Sequence, residues 1–600
     1  MDPGTFRYQP LTSPNAIRLL VLEPSKDHDA PLTGTLLHTT LEDCDFELIE
    51  PYTALSYVWG DPTKTGTLIL AGHVFTITAT LANALRDLRD DSRPRRIWAD
   101  ALCIDQTNIP ERNRQVSLMG LIYTVAAHTV IYLGSSTENT DLVLGSAPRA
   151  SMNMYPFLDQ SQRNDIVQAA KTEILSRPWF FRVWIFQELN LSRDPWVQVG
   201  QRRTRWKDFC RLLLHNGPTF LVRGKPEDGQ EPLRMLDRMN NSFGGSNAGR
   251  MFSLLQSRRG LGATDARDFV FAHMGIAADA FNVGQAVPVD YTSPLAQVFA
   301  RMAMYILETE KLETLIGLWD EQDAVAGNGL PSWAPDWRLK PSGRSPMYKN
   351  NFLSHAKLLV TPTLCLEAEN ILGLVGHSLG IIESVSVTLP FSSTLDLEGM
   401  TNYQETVNKI NALYRSKGGV FYRGDTNGQQ PQVSIRGLEQ EHWDLCATLF
   451  HDILGMPRIF VTSDSSDMLR IMWDYLHPKV TNSNLDGRRF AATDQGDVGV
   501  VPPRAEKGDH VVAVLGSHVA LMLRPVVVDD KARIDDDLRG RLSFMSLDGQ
   551  PGYIEGVPLN KPVSAVEHSS VIGSCLFDGK TPCAISQLPD ESHLRIYALY

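Results

Sequence analysis

The chain has 600 residues, of which 43% are hydrophobic and 21% are charged, with 44 glycines and 35 prolines. This composition is typical of a folded, soluble chain of about four domains, and it excludes collagen-like, coiled-coil and disordered proteins. The formal net charge of −12 repels polyanions, and the basic clusters at 93–96 and 202–207 are short. We therefore expect no nucleic-acid partner.

Seven cysteines are scattered along the chain without a C-x-x-C pair, a pattern that suits a reducing cytosol. The first residues lack the pattern of a secretory signal, and the apolar run at 511–523 is too short to span a bilayer. We therefore predict a cytoplasmic protein without a membrane span, in which 511–523 forms a pair of core strands.

Paired Cys/His spacings and a P-loop are absent from the sequence, so no metal site and no tightly bound cofactor are expected.

Strand and helix patterns alternate in the first third of the chain. One buried strand at 17–22 lies in a lead-in over residues 1–44. The next predicted strands are 54–58, a hairpin at 67–78, 96–99 and 129–133. Helices are predicted around 81–88, from Asn108, at 165–175 and at 184–189, with polar loops from Asp100 and over 135–165. This βαβα order predicts an α/β domain over 45–215, built on an open, mostly parallel, flavodoxin-like sheet.

The rest of the chain changes character twice. Residues 216–345 are predicted to be a helical region, and 346–495 a mixed region with a β-hairpin near 376–389 and helix at 402–480. Short strands and turns over 496–600 predict a β-rich C-terminal module.

Several segments together resemble the fungal heterokaryon-incompatibility (HET) domain family. The segments that carry the likeness are YTALSYVWGD at 52–61, IWADALCIDQ at 97–106, ERNRQV at 111–116 and VIYLG at 130–134. Further along, RPWFFRVWIFQE at 177–188, TDARD at 264–268 and LPSWAPDW at 330–337 are similar to segments C-terminal to the domain in many such proteins. The resemblance implies a role in fungal non-self recognition, where an incompatible encounter triggers programmed cell death. It also implies a fold similar to Toll/interleukin-receptor (TIR) domains.

Parallel sheets bind ligands beyond the carboxyl ends of their strands, where the segments 56–61 and 100–106 are expected to lie. TIR-like enzymes resemble this chain in one further respect, a Trp followed four positions later by a Glu on a helix, which Trp184 and Glu188 reproduce. One helical turn places both side chains on one face. Glu188 is the predicted catalytic residue, and it is expected to face an open, nucleotide-sized hollow. The predicted nucleotide-binding residues are Ser56, Trp59, Gly60, Asp61, Asp105 and Trp184.

The predicted reaction is hydrolysis of NAD, which would be a substrate and not a bound cofactor. Cleaving the nicotinamide–ribose bond expels a neutral leaving group from a cation, so a single carboxylate that stabilises the oxocarbenium-like transition state is sufficient. The alternative for Trp184 is a role in the core. The alternative for Glu188 is a helix cap or an ion pair with a neighbouring element. The alternative for Asp105 is a bond to backbone amides of its own loop.

Two further patterns are interpreted as structural. Cys103 lies between Asp100 and Asp105 without a nearby His, and carboxylates raise a thiol's pKa, so it is predicted to be a buried core residue. The sequence GHSLG at 376–380 matches the nucleophile elbow of α/β-hydrolases, but the β-branched, alternating residues at 381–389 predict a second strand where the elbow requires a helix.

The function therefore stays divided among three hypotheses. The 45–215 domain is an NAD glycohydrolase that acts through Glu188, or a non-enzymatic adaptor that self-associates through exposed helical faces, or an accessory protein without catalytic activity. The expected partners are further copies of the chain or an allelic or signalling protein.

Overall fold

The structure is a computed structural model. It describes residues 6–46, 48, 50–151, 160–215, 249–310, 312–321, 329–340, 363–366, 370–385, 488–515, 517, 519–544, 553–554, 557–558, 563, 565–577 and 593–600. The chain forms two compact units, Met1–Pro294 and Leu295–Tyr600. These units are coarser than the five segments that the sequence predicts, and the finer boundaries stay predictions.

The first unit is built on one nine-stranded sheet with the order β5-β4-β2-β1-β6-β3-β7-β8-β9. Its strands are β1 (Ala16–Leu22), β2 (Leu32–Thr40), β3 (Thr53–Tyr57), β4 (Thr65–Leu70), β5 (His73–Thr78), β6 (Arg95–Trp98), β7 (His128–Tyr132), β8 (Pro195–Val199) and β9 (Arg202–Arg205). The strands predicted from residue 54 onward are confirmed. The predicted strand at 17–22 is also confirmed, and it lies inside the sheet between β2 and β6.

The sheet is mixed, with a parallel centre. Strands β6, β3, β7 and β8 run parallel to one another. Strand β1 runs antiparallel to both β2 and β6, and each edge ends in an antiparallel pair, β4–β5 and β8–β9. The four central strands follow one another in the chain as β3, β6, β7 and β8, so the chain returns across β3 between β6 and β7. The α/β prediction is confirmed, and the finer TIR-like assignment stays a prediction.

Helices follow the strands as the alternating pattern predicts. Those of the first unit are α1 (Leu41–Asp45), α2 (Ala79–Leu88), α3 (Asp100–Cys103), α4 (Ile109–Val125), α5 (Glu138–Ser151), α6 (Gln160–Ala169), α7 (Ile185–Asn190), α8 (Trp206–Cys210), α9 (Met251–Ser257), α10 (Asp268–Met274) and α11 (Ala280–Ala286). A 3₁₀ turn, Pro178–Phe181, precedes α7. The predicted start of α4 at Asn108 is confirmed, because its side chain accepts a hydrogen bond from the Glu111 amide at 3.3 Å.

The two faces of the sheet carry separate apolar cores. On one face, Leu81 and Leu85 of α2 pack with Leu20 and Leu55 of the sheet. On the other face, α4 packs against alternate residues of the same strands, the set being Ile17, Leu19, Ala54 and Trp98. Successive side chains of a strand point to opposite faces. Ser56, two residues after Ala54, therefore points to the α4 face.

Two predicted loops contain helix. The segment after β6, predicted as a polar loop, begins with the single turn α3. The segment 135–165, also predicted as a loop, contains α5 and the start of α6. Its polar composition hid a buried helical stripe of Val143, Leu144 and Ala147. Near its start, the backbone amide of Thr137 donates to the Thr140 hydroxyl at 2.8 Å.

The second unit contains an eight-stranded, mainly antiparallel sheet and a separate two-stranded one. Its strands are β10 (Thr363–Leu366), β11 (Ile371–Val385), β12 (Arg489–Thr493), β13 (Val498–Val501), β14 (His510–Val514), β15 (Ala520–Pro525), β16 (Tyr553–Ile554), β17 (Val557–Pro558), β18 (Val566–Phe577) and β19 (Arg595–Leu599). Its helices are α12 (Leu295–Thr309), α13 (Leu312–Glu321) and α14 (Lys531–Phe544). The β-rich C-terminal part is confirmed, and the helix predicted at 402–480 lies outside the described residues.

The G-x-S-x-G segment belongs to one long strand, β11. The strand–turn–helix of a nucleophile elbow is absent there, as predicted, but the predicted hairpin turn is wrong. A bulge between Ser378 and Gly380, opposite β14, lets the strand continue without reversing. A Cβ atom at Gly376 would lie 2.5 Å from the Ala513 carbonyl oxygen, so only glycine fits where these two strands approach each other.

The apolar run at 511–523 forms two paired strands, β14 and β15, as predicted. Within the described part of the chain, no helix combines the length and the apolar character that crossing a membrane requires.

Candidate functional site

The parallel centre of the first sheet defines one place for a ligand. Because the strand order reverses between β3 and β7, the connections that leave these two strands run in opposite directions, and such switch points are where doubly wound sheets bind ligands. The residues at the carboxyl ends of these strands are Ser56 and Tyr57 on β3, and Leu133 to Ser135 after β7. The site is therefore built from the side chains that lie against those ends.

A buried chain of hydrogen bonds joins β3 to the RPWFFRVWIFQE segment. The indole Nε1 of Trp179 donates to Ser56 Oγ at 2.7 Å, and Ser56 Oγ donates in turn to Glu188 Oε2. All three residues are buried, with Glu188 only 2% exposed. The structure thus brings together Ser56 and Glu188, two residues predicted for the site that are 132 positions apart.

Arginines of this segment hold the ends of both switch-point strands. Arg182 Nη1 donates to the carbonyl oxygen of Tyr57 at the end of β3, and it lies 3.7 Å from Glu188 Oε1 as an ion pair. Arg177 Nη1 donates to the carbonyl oxygen of Leu133 at 2.6 Å, just after β7. The segment 177–182 therefore lies across the switch point itself.

A second carboxyl group lies beside the first. Asp100 follows β6, the neighbour of β3, and its Oδ2 accepts a hydrogen bond of 2.9 Å from Trp59 Nε1. The Trp59 ring remains 40% exposed. Gly60 follows with a φ of +77°, and a Cβ there would lie 2.3 Å from Thr80 Oγ1, so the turn after Trp59 requires glycine.

Burial and charge act in opposite directions on the two acids. Burial raises the pKa of Glu188, and the nearby Asp100 carboxylate raises it further, whereas the Arg182 guanidinium and the Ser56 hydroxyl lower it. Burial likewise raises the pKa of Asp100, while Arg182 and the Trp59 indole lower it. Asp100, Arg182 and Glu188 therefore form one electrostatic cluster.

The burial of Glu188 departs from the sequence prediction. The prediction placed its carboxyl group against an open hollow, and that is wrong for this state of the molecule, because Trp179, Ser56 and Arg182 cover it. The contacts of Glu188 agree with the alternative interpretation, in which it is a buried acid that forms an ion pair. Whether Glu188 also acts in catalysis stays a prediction.

The other predicted site residues lie in different surroundings. Asp61 is exposed and accepts hydrogen bonds from Thr63, which lower its pKa. Asp105 accepts bonds from Thr107, as the loop-structure alternative predicts, and its own amide donates to Glu111 Oε1 at 2.8 Å. Glu111 in turn forms a buried ion pair with Arg18 at 2.5 Å. These contacts give Asp105 a structural role in its loop.

Trp184 stands at the start of α7. Its carbonyl oxygen accepts bonds from the amides of Gln187 and Glu188, and its ring packs against the core that contains Met119 and Tyr123. These contacts agree with the alternative interpretation of Trp184 as a core residue.

Cys103 is fully buried, and burial raises the pKa of its thiol to about 12, which excludes a reactive thiolate as predicted.

Residues beyond Glu188 help to position Arg182. The amide of Val183 donates to the carbonyl oxygen of Gly262 at 3.0 Å, and Arg258 Nη2 donates to the carbonyl oxygen of Arg182 at 3.3 Å. Arg258 is 2% exposed, and burial lowers its pKa to about 9. The backbone of Arg182 is thus held by a segment some 75 residues further along.

The TDARD segment fixes α10 to the sheet domain. Arg267 pairs with Asp265 at 2.7 Å, and the Tyr291 hydroxyl donates to Asp268 Oδ1 at 2.6 Å. Arg112 of α4 lies 3.6 Å from the centre of the Tyr291 ring. Burial raises the pKa of Asp268 to about 6. Together these contacts connect α4 to α10.

Sequence reasoning missed Trp179, Arg182 and Asp100 as members of the site. The first two lie in the RPWFFRVWIFQE block. Asp100 was expected at this edge of the sheet as the start of the 100–106 segment, but it was not predicted to be a site residue. Among the described residues, no group of three or more His, Cys, Asp and Glu side chains is placed to hold a metal ion.

Comparisons with known proteins point to one family. Residues 52–188 match the model of the family described as "Heterokaryon incompatibility protein (HET)". The chain is 26% identical over 417 residues to heterokaryon incompatibility protein 6, OR allele, of Neurospora crassa, an alignment that covers 55% of this chain and 59% of the relative. No solved structure matches the chain significantly. The match ends at Glu188, so the Ser56–Glu188 cluster lies wholly within the stretch that is similar to the HET family.

Proposed function

We propose that this chain acts in fungal non-self recognition and that residues 52–188 deliver the response. The family match over this stretch and the similarity to a Neurospora incompatibility protein support the proposal. The chain spans about 59% of that relative's length, so the activity and partners of the relative are carried over only as part of this proposal. A cytoplasmic location and an allelic or signalling partner belong to the same proposal.

The response that the geometry favours is cleavage of the nicotinamide–ribose bond of NAD, with programmed cell death as its consequence. The observation that carries this is the position of Glu188, an acidic group held by Ser56 and Arg182 at the switch point of a doubly wound sheet. Nicotinamide leaves as a neutral molecule, so no general acid is needed. A carboxylate that stabilises the positive charge on the ribose is the group that cleavage of this bond requires.

The buried state of Glu188 then has a mechanistic meaning. In the closed arrangement, Arg182 pairs with the carboxylate and Trp179 covers Ser56, so a dinucleotide has no access to the acid. Activation would move the 177–182 segment away from the end of β3 and leave Glu188 unpaired and ionised. This is consistent with a protein of low basal activity whose open state becomes more populated when an incompatible partner is met.

The test is nicotinamide release from NAD by the purified full-length chain, with Glu188→Gln as the variant. Glu23 is exposed, so Glu23→Gln is the matched control. We expect release by the wild type and by Glu23→Gln, and a loss of at least about 100-fold in Glu188→Gln with an unchanged melting temperature. Equal release by wild type and Glu188→Gln would contradict the role of Glu188.

A non-enzymatic adaptor is the second candidate, and exposed apolar side chains favour it. Leu121 on α4 is 52% exposed and Leu142 on α5 is 47% exposed, on helical faces where a second copy would pack. Cell death that survives Glu188→Gln but is lost when these leucines are replaced by Ser would support the adaptor. Cell death that follows nicotinamide release in every variant would support the enzyme.

A further inference from the structure

Of the two acids at the switch point, Asp100 is the more accessible. Glu188 is 2% exposed beneath Trp179 and Arg182, whereas Asp100 is a half-buried residue at the start of α3. Asp100 follows β6, which lies directly beside β3 in the sheet, so both acids border the carboxyl end of β3. A molecule that reaches this edge from solvent meets Asp100 first.

The two acids share one cation. The Arg182 guanidinium acts on both carboxyl groups, and the charge of Asp100 raises the pKa of Glu188, so the two carboxylates are close enough to interact. Two carboxylates in one partly water-free site take different roles when their surroundings differ. Here one acid is enclosed and ion-paired, and the other belongs to a residue that is partly exposed.

An aromatic surface adjoins the accessible acid. Trp59 donates its indole N–H to Asp100 Oδ2 at 2.9 Å, which fixes the edge of the ring while 40% of the residue stays exposed. An exposed indole face binds a planar heterocycle or a sugar ring by stacking, and a carboxylate at its edge accepts hydrogen bonds from the stacked group. Asp100 and Trp59 are therefore arranged as one half of a binding site for a nucleoside.

We propose that Asp100 is a second catalytic carboxylate, which activates the water that attacks the ribose of a nicotinamide nucleotide. This inference rests on the proposed NAD cleavage. In the reaction, the C1′–N bond breaks and its electron pair stays on the nicotinamide nitrogen, which becomes neutral. A water oxygen then bonds to C1′, and the proton of that water passes to the Asp100 carboxylate. The products are nicotinamide and the hydrolysed nucleotide, and no oxidant or metal is consumed.

The division of labour follows from the surroundings of each acid. A group that takes a proton from water needs access to water, and Asp100 is the more exposed residue of the two. A group that stabilises the positively charged ribose works best where little water surrounds it, and Glu188 is the more buried of the two acids.

The experiment compares hydrolysis with base exchange in the full-length chain. Added 3-acetylpyridine attacks C1′ through its own nitrogen, so exchange needs no proton acceptor, whereas hydrolysis does. We expect Asp100→Asn to lower the hydrolysis rate by about 100-fold and to leave the exchange rate within about threefold of the wild type. Glu188→Gln should lower both rates together. Asp91→Asn is the control, because Asp91 is an exposed acid outside the site.

The outcomes separate the two levels of the proposal. A wild-type chain that releases no nicotinamide, in an activated state as well as in the closed one, overturns the proposed function itself. A wild type that is active while Asp100→Asn loses hydrolysis and exchange equally, or loses neither, overturns the role of Asp100 and leaves that of Glu188 standing.

A second measurement serves if Asp100→Asn does not fold. The titratable groups that act on Asp100 or feel its charge are Tyr57, Cys103, Tyr123, Arg182 and Glu188. In the wild type, the ratio of hydrolysis to exchange should fall as the pH is lowered and Asp100 takes up a proton, because protonation of Glu188 affects both reactions alike. A ratio that does not change with pH overturns the proposal.

Discussion

Replacement of Ser56 by Ala tests the buried hydrogen-bond chain directly. Ser56 Oγ accepts from Trp179 Nε1 at 2.7 Å and donates to Glu188 Oε2, and both partners are buried. Alanine leaves an indole N–H and a carboxylate oxygen without that partner, and each buried unsatisfied group costs about 1–3 kcal/mol. We therefore expect Ser56→Ala to lower the free energy of unfolding by roughly 2–6 kcal/mol, the sum of this cost for the two groups.

The assay is denaturant unfolding of the full-length chain, followed by the combined fluorescence of its eleven tryptophans. Ser117→Ala is the matched control, because Ser117 is an exposed serine whose hydroxyl donates to a backbone carbonyl at 2.9 Å. Its loss should change stability by less than about 0.5 kcal/mol. A double-mutant cycle with Trp179→Phe isolates the indole–hydroxyl pair. A loss below about 1 kcal/mol in Ser56→Ala would refute the reasoning.

Three further substitutions test charges in the first unit. Burial raises the pKa of Asp268 to about 6 from its usual 3.8, so the folded state binds this proton more tightly than the unfolded state does. Stability from this group is therefore greatest below pH 4 and falls by roughly 2–3 kcal/mol as the pH rises to 6, and Asp268→Asn should flatten that slope in unfolding measured across this range. Arg18→Met should cost about 3–5 kcal/mol in denaturant unfolding, because it leaves Glu111 as an unpaired buried charge. Arg258→Met should cost less than about 1 kcal/mol or stabilise, because Arg258 has no carboxylate partner among the described residues, and a large loss would contradict this interpretation.

Local patterns in the sequence were sufficient for most of the first sheet. The alternation around Leu55 and the Asn108 cap each depend on neighbours within a few residues, and both were predicted correctly. The helix α5 was missed because polar residues around it outweighed the buried stripe at Val143 and Ala147. A polar helix and a loop can have the same composition. Only the surface against which the helix packs then distinguishes the two.

The candidate site could be predicted only in part, because its contacts join distant parts of the chain. Ser56 and Glu188 were both predicted as site residues, but no local rule states that they form a hydrogen bond with each other. The burial of Glu188 was missed for the same reason, since it depends on Trp179 reaching back to β3. Arg182 carries no signal of its own, because its partners are a backbone carbonyl and an acid six residues further along the chain.

The part of the chain that forms the site is longer than the part that matches the family. Residues 52–188 lack β1, which lies between β2 and β6 in the middle of the sheet. They also lack Gly262 and Arg258, which bind the backbone on either side of the Arg182 side chain. Since Arg182 sets both the charge balance of Glu188 and the closure over β3, a fragment limited to the matched stretch would lose the control of the acid together with the strand beside it. The enclosure of Glu188 is therefore a property of the whole unit that ends at Pro294.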